Sequence, residues 1–109
     1  MFDYKKPTVQ LLGRYQPWHK GHTELFRKAH AKTGQVCIMI RETGETHHDS
    51  FGMESQLMNE GFEYGKDYVV VNVPNIVNIT YGRDVGYKIE QEKLSDEIES
   101  ISATKIRNA

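Results

Sequence analysis

Gly13-Arg14-Tyr15-Gln16-Pro17-Trp18-His19-Lys20-Gly21-His22 is the stretch on which the fold of this chain turns. Thr8 to Leu12, just before it, reads as a short buried strand. Thr23 to Thr33, just after it, puts Leu25, Phe26 and Ala29 on one helical face and Glu24, Arg27, Lys28 and Lys32 elsewhere, and Gly34 closes it. The stretch is therefore predicted as a strand-to-helix loop. Open α/β sheets bind ligands at the carboxyl ends of their strands. A helix start there adds unpaired N–H groups and a partial positive charge, which suit phosphate. Gly13 is expected to let a ligand approach the backbone, and Pro17 to stiffen the loop. Gly21 is expected to turn the chain so that His19 and His22 face one pocket. The loop holds no cysteine, serine or carboxylate, which favours positioning and charge stabilisation over covalent chemistry.

Working outward, Gln35 to Ile40 is a continuous apolar, β-branched run, as a parallel sheet requires. Strand, helix and strand make a right-handed crossover unit. Residues 41–50 form a long polar loop at a strand's carboxyl end. There Arg41 reads either as an anion contact or as part of a solvated connection. A helix over Phe51 to Asn59 follows, with Met53, Leu57 and Met58 inward and Gly61 as its stop. Tyr68 to Val73 is a third strand, and the alternation of Ile76 to Tyr81 predicts a fourth. Gly82 to Tyr87 is a loop in which Arg83 and Asp84 are candidate ligand contacts, or simply a tight turn into a fifth strand at Lys88 to Lys93. Ser102 is a plausible helix cap, with Thr104 and Lys105 in the first turn. His30, two turns beyond the loop, reads as a helix-surface residue. His47 and His48, taken with His19 and His22, fit no zinc spacing, so no metal site is assigned.

His19-Lys20-Gly21-His22, after a strand ending in Gly13-Arg14, resembles the loop of the His-x-Gly-His nucleotidyltransferases. The Gly-Arg-aromatic-Gln-Pro run before it looks most like the nicotinamide-mononucleotide adenylyltransferase branch. Cytidylyltransferases carry a related loop, usually without the Arg-x-Gln-Pro part. Ile101-Ser102-Ala103-Thr104-Lys105-Ile106-Arg107 resembles the family's second motif, Ile-Ser-x-Thr-x-x-Arg. The resemblance implies a compact, Rossmann-like, three-layer α/β/α fold with a mainly parallel sheet of about five strands. The connection between the third and fourth strands is shorter than the family usually has, so the chain looks like a pared-down version.

The implied activity is transfer of AMP, or CMP, from a nucleoside triphosphate (ATP or CTP) to a small phosphorylated acceptor. The implied cofactor is magnesium, Mg2+, bound mainly through the triphosphate. His19, His22 and Lys20 are the implied catalytic residues. Gly13, Arg14, Tyr15, Gly21, Ser102, Thr104 and Arg107 are the implied nucleotide-binding residues, and the resemblance implies nucleotide or acceptor contacts for Arg83 and Asp84, beside Arg41 from its place at a strand's end. The family often forms dimers, so a homodimer is a candidate assembly. A non-catalytic nucleotide-binding or regulatory module of the same fold is the alternative. The tRNA-charging enzymes share a His-x-Gly-His loop, but this chain has no room for an anticodon-reading domain.

Length and composition agree with one domain spanning 1–109. Hydrophobic residues make up 38% and charged residues 27%, as in a globular protein. The net charge of −1 gives no support to nucleic-acid binding, so any polyanion site must be local. The lone Cys37 lies in an apolar run and reads as a buried thiol in a reducing, cytoplasmic setting. No signal peptide and no membrane-length apolar run is visible in the sequence.

Overall fold

The computed structural model describes residues 1–15, 18–42, 50–83 and 86–91, apart from the side chains of 50 and 51. The elements run β1 (Val9–Gly13), α1 (Lys20–Thr33), β2 (Val36–Arg41), α2 (Ser50–Asn59) and β3 (Tyr68–Val73). The strands form one parallel sheet in the order β1-β2-β3. Leu11 lies beside Ile38, and Ile38 beside Val70. Each crossover carries a helix, as parallel neighbours require.

Two right-handed crossovers that advance in the same direction put both helices on one face of the sheet. The core agrees with that placement. Phe26 and Ala29 of α1, with Met53 and Leu57 of α2, join Leu11, Val36, Ile38, Ile40 and Tyr68 in one buried cluster. On the opposite face Leu12, Cys37, Met39 and Val69 are only half-buried, and Gln10 and Val71 are exposed. Among the described residues the fold is therefore two-layered. Cys37 is half-buried, not fully buried as its apolar context suggested.

Both helix ends follow local chemistry. Gly34 takes the left-handed conformation at φ 84° and donates its N–H to the His30 carbonyl, ending α1. Gly61, at φ 90°, ends α2 while the Phe62 N–H reaches the Leu57 carbonyl at 3.0 Å. Met53 and Leu57 are inward as expected, but Met58 is 69% exposed. The inward stripe of α2 is filled by Met53 and Leu57, one turn apart, and Met58 falls beside it.

The expected fourth strand is not formed. Ile76 to Tyr81 makes no ladder, and Val77 and Ile79 are exposed. Pro74 and Asn75 alone separate this run from β3, and two residues reach only about 7 Å. A further parallel strand needs a crossover of about a dozen residues. Lys88 to Gln91, the described part of the expected fifth strand, is also outside any ladder. It is tied instead to the end of α1 by Lys32 and Glu90, 3.1 Å apart.

Two polar anchors complete the scaffold. Gln35 is buried, and its amide donates to the Asp3 carbonyl and the Thr8 hydroxyl, both at 2.7 Å, fixing the amino-terminal lead-in. His30 is not a free surface residue. Its Nε2 lies 2.9 Å from Asp67 Oδ1, and its ring packs on Phe62. The pair ties the end of α1 to the start of β3, at the edge of the sheet away from the His19 end of α1. No described helix is long and apolar enough to cross a membrane.

Candidate active site

Gly13 ends β1, and the chain enters α1 seven residues later. The helix begins earlier than the sequence suggested, at Lys20, so the two histidines lie in its cap and first turn. His19 is the N-cap, in extended conformation, and its Nδ1 accepts the Gly21 N–H at 3.0 Å. His22, at the third helical position, accepts the His19 N–H through its own Nδ1 at 3.1 Å. The two imidazoles thus form a reciprocal capping box of the kind that Ser/Thr with Glu/Gln usually makes. Gly21 makes no tight turn. It is buried inside the helix, where its N–H feeds the cap.

This cap has a chemical consequence. A neutral imidazole accepts at one nitrogen and donates at the other. With both Nδ1 atoms accepting from the backbone, both rings carry their proton on Nε2. Neither Nε2 makes a hydrogen bond among the described residues. The rings stack with centroids 3.8 Å apart and planes 24° off parallel.

Electrostatics reinforces the neutral form. Burial first, and the neighbouring His19 second, together push the His22 pKa from an ordinary 6.5 down to about 4. Burial lowers His19 as well. Protonating either Nδ1 would also set N–H against N–H and break the cap.

The rings rest on an aromatic floor. Tyr15 meets the His22 ring edge-on at 4.9 Å and Trp18 lies 5.2 Å from it. Both aromatics are buried, and they contact one another at 5.0 Å. Tyr15 reaches this place by taking φ 51°, an uncommon conformation for a residue with a Cβ. Its ring fills the space over Gly13, where a Cβ would lie 2.8 Å from it. The need for glycine at 13 is therefore met by a ring of the protein itself. Burial pushes the Tyr15 hydroxyl well above its usual range.

Among the cationic candidates, Lys20 is exposed at the first residue of α1. Gly13 pairs with Ile40, so Arg14 and Arg41 leave adjacent strands side by side at the carboxyl edge of the sheet. The Arg41 Nε is buried without a hydrogen-bond partner among the described residues. Arg83 is exposed in a bend, and no described contact joins it to the histidines. Ser102, Thr104, Arg107 and Asp84 lie outside the described residues.

No protein-family model, no curated protein and no solved structure matches the chain.

What the site can do follows from its own chemistry. The N–H groups of Gly21, His22 and Thr23, expected to stand unpaired, are all taken by His19, so an anion would be held by the two neutral imidazole N–H donors, the positive helix end and cationic side chains at the ends of two strands. Among the described residues no group of three or more metal-ligating side chains gathers. Sequence reading missed one set of residues here. Thr23 and Gln56 hydrogen-bond to Trp18, and Gln56 comes from α2, which had been read only for its apolar stripe.

Proposed function

We propose that the chain is a nucleotidyltransferase of the His-x-Gly-His type, acting on a magnesium-bound nucleoside triphosphate and a small phosphorylated acceptor. An acceptor phosphate oxygen attacks the α-phosphorus. The bond from the α-phosphorus to the bridging oxygen breaks, and pyrophosphate leaves with that electron pair. The acceptor oxygen is already anionic, so no strong base is needed.

The observation that carries this reading is the pair of outward Nε2–H donors fixed by the His19–His22 cap. In the transition state charge gathers on the α-phosphoryl oxygens and on the leaving group. Nε2 of His19 and His22 would donate there, as preorganised dipoles that need no reorientation. Lys20 would add charge at the mouth, and Arg14 and Arg41 would meet the triphosphate tail or the acceptor. Holding both reactants in line can lower the barrier by as much as about 7–11 kcal/mol. Magnesium would arrive on the triphosphate oxygens and supply charge neutralisation there.

The same reading takes the three-stranded sheet as the centre of a Rossmann-like, three-layer unit. Ile101 to Arg107 would return beside the histidines, with Ser102, Thr104 and Arg107 on the β- and γ-phosphates. The transferred group is AMP or CMP: the Gln-Pro context leans to ATP as donor, and the compact layout leaves CTP open.

The test is a thermal-shift panel of nucleoside triphosphates with magnesium, followed by pyrophosphate release against phosphorylated acceptors. Stabilisation by one triphosphate and acceptor-dependent release of pyrophosphate are expected. Stabilisation with no release across mononucleotide, sugar-phosphate, alcohol-phosphate and phosphopantetheine acceptors would favour a non-catalytic binding module. No stabilisation by any triphosphate would overturn both.

A further inference from the structure

Trp18 is 2% exposed, and its indole lies against both Tyr15 and the His22 ring. Something must hold so large a ring in a loop that is not part of any element. The contacts that do so come from two helices. The indole Nε1–H donates to Thr23 Oγ1 at 2.8 Å. The Thr23 hydroxyl donates to Gln56 Oε1 at 3.4 Å. The Gln56 amide then donates back to the Trp18 carbonyl at 3.1 Å. Thr23 is buried and belongs to α1, whereas Gln56 belongs to α2.

The donor directions around this ring of bonds are forced. Indole only donates, a hydroxyl can accept and donate at once, and a backbone carbonyl only accepts. Gln56 must therefore face Trp18 with its NH2 group and Thr23 with its oxygen. Only a primary amide satisfies both ends, and such networks, fully satisfied, fix a single arrangement.

We infer that Gln56 is a positioning residue for the histidine pair, clamping Trp18 from α2 through a closed ring of hydrogen bonds with Thr23. Among the described residues Gln56 makes no hydrogen bond to either imidazole. It acts through Trp18, whose ring seats His22 and so sets where the two Nε2 donors point. Helix α2 is thereby joined to the cap of α1. The anion-binding part of this inference rests on the proposed polyphosphate site, and the seating of Trp18 and His22 does not.

Trp18 is the only tryptophan in the chain, so its fluorescence reports on this clamp alone. The experiment compares Gln56→Leu, Gln56→Glu, Thr23→Val and Thr23→Ser with the unaltered protein. Three readouts are taken on folded protein. They are the emission wavelength of Trp18, the titration midpoint of the His22 ring by proton NMR, and the affinity for inorganic tripolyphosphate. Gln56→Leu, Gln56→Glu and Thr23→Val should move the emission to longer wavelength and raise the His22 midpoint as water reaches the ring. They should also weaken tripolyphosphate binding by about tenfold or more. Thr23→Ser keeps the hydroxyl and should match the unaltered protein in all three. Gln56→Glu keeps size and polarity, so it remains informative if Gln56→Leu fails to fold. Variants that lose thermal stability but keep emission, midpoint and affinity would overturn the inference, since Gln56 would then only support the fold. Shifts in emission and midpoint in a protein that never binds tripolyphosphate would support the clamp and end the polyphosphate reading.

Discussion

His19 and His22 cap one helix with each other's help. His22 Nδ1 accepts the His19 N–H at 3.1 Å, while His19 Nδ1 accepts the N–H of the glycine between them at 3.0 Å. The cap consumes one nitrogen of each ring and leaves the other facing outward as a donor. A single local arrangement thus starts the helix, fixes the tautomers and builds the candidate anion site.

The two uses of His22 separate by substitution. In His22→Asn the amide oxygen occupies the place of Nδ1 and preserves the cap, but no donor stands at Nε2. His22→Ala loses both. Both variants should lower turnover by about two powers of ten or more, the usual cost of one transition-state donor. Only His22→Ala should also lose about 0.5–2 kcal/mol of stability, the worth of a cap. Urea unfolding and pyrophosphate release on the same preparations check this. Near-normal turnover in His22→Asn would remove His22 from the chemistry.

The depressed His22 pKa carries a stability effect with a definite sign. Its folded value of about 4 lies below the ordinary 6.5, so between those values the unfolded chain binds more protons at this position. Stability from this residue is therefore complete above pH 6.5 and is lost as pH falls toward 4. Urea midpoints for the unaltered protein and His22→Asn should agree above pH 6.5 and separate toward pH 4, where only the unaltered protein loses stability through this residue. A constant difference at every pH would contradict the account.

Gly13→Ala places a methyl group 2.8 Å from the Tyr15 ring. The ring must move, and it carries Trp18 and His22 with it. Overpacking of this kind costs about 1–3 kcal/mol. Removing the obstacle in Gly13→Ala/Tyr15→Ala should make the double variant less destabilised than the sum of the single ones. Thermal melts of the four proteins measure the coupling, and strict additivity would show that Tyr15 does not occupy the space over Gly13.

His30 and Asp67 should matter for stability and not for turnover. Their contact lies eleven residues past His19, about 16 Å along the helix. Asp67 also accepts the Glu63 N–H at 2.8 Å, so Asp67→Asn should cost about 1–2 kcal/mol in urea unfolding. Turnover of the folded fraction should stay unchanged. A large loss of turnover would place this pair in the reaction.

Much of the scaffold was legible in the residues. Three apolar runs became the three strands, and Gly34 and Gly61 became helix stops, because period, burial and left-handed glycines are local signals. The fourth strand was misread because alternation alone ignores connection length, and Pro74-Asn75 is too short a bridge. The two histidines were legible as a pair, but not as a cap, because imidazole rarely plays the part of Ser or Glu there. Gln56 carried no signal at all. Its partners are 33 and 38 residues away in sequence, and nothing in a polar position on a helix tells which neighbour it meets.

In the proposed function both imidazoles are neutral, protonated on Nε2, and grip a polyphosphate through that atom. Two-bond proton–nitrogen correlation spectra of the histidine rings at pH 7, recorded with and without magnesium and ATP or CTP, test it most directly. Both rings should show the Nε2–H tautomer in the free protein, and both Nε2 resonances should shift when the right triphosphate is added. Rings protonated on Nδ1, or charged at pH 7, or Nε2 resonances indifferent to either triphosphate, would contradict it.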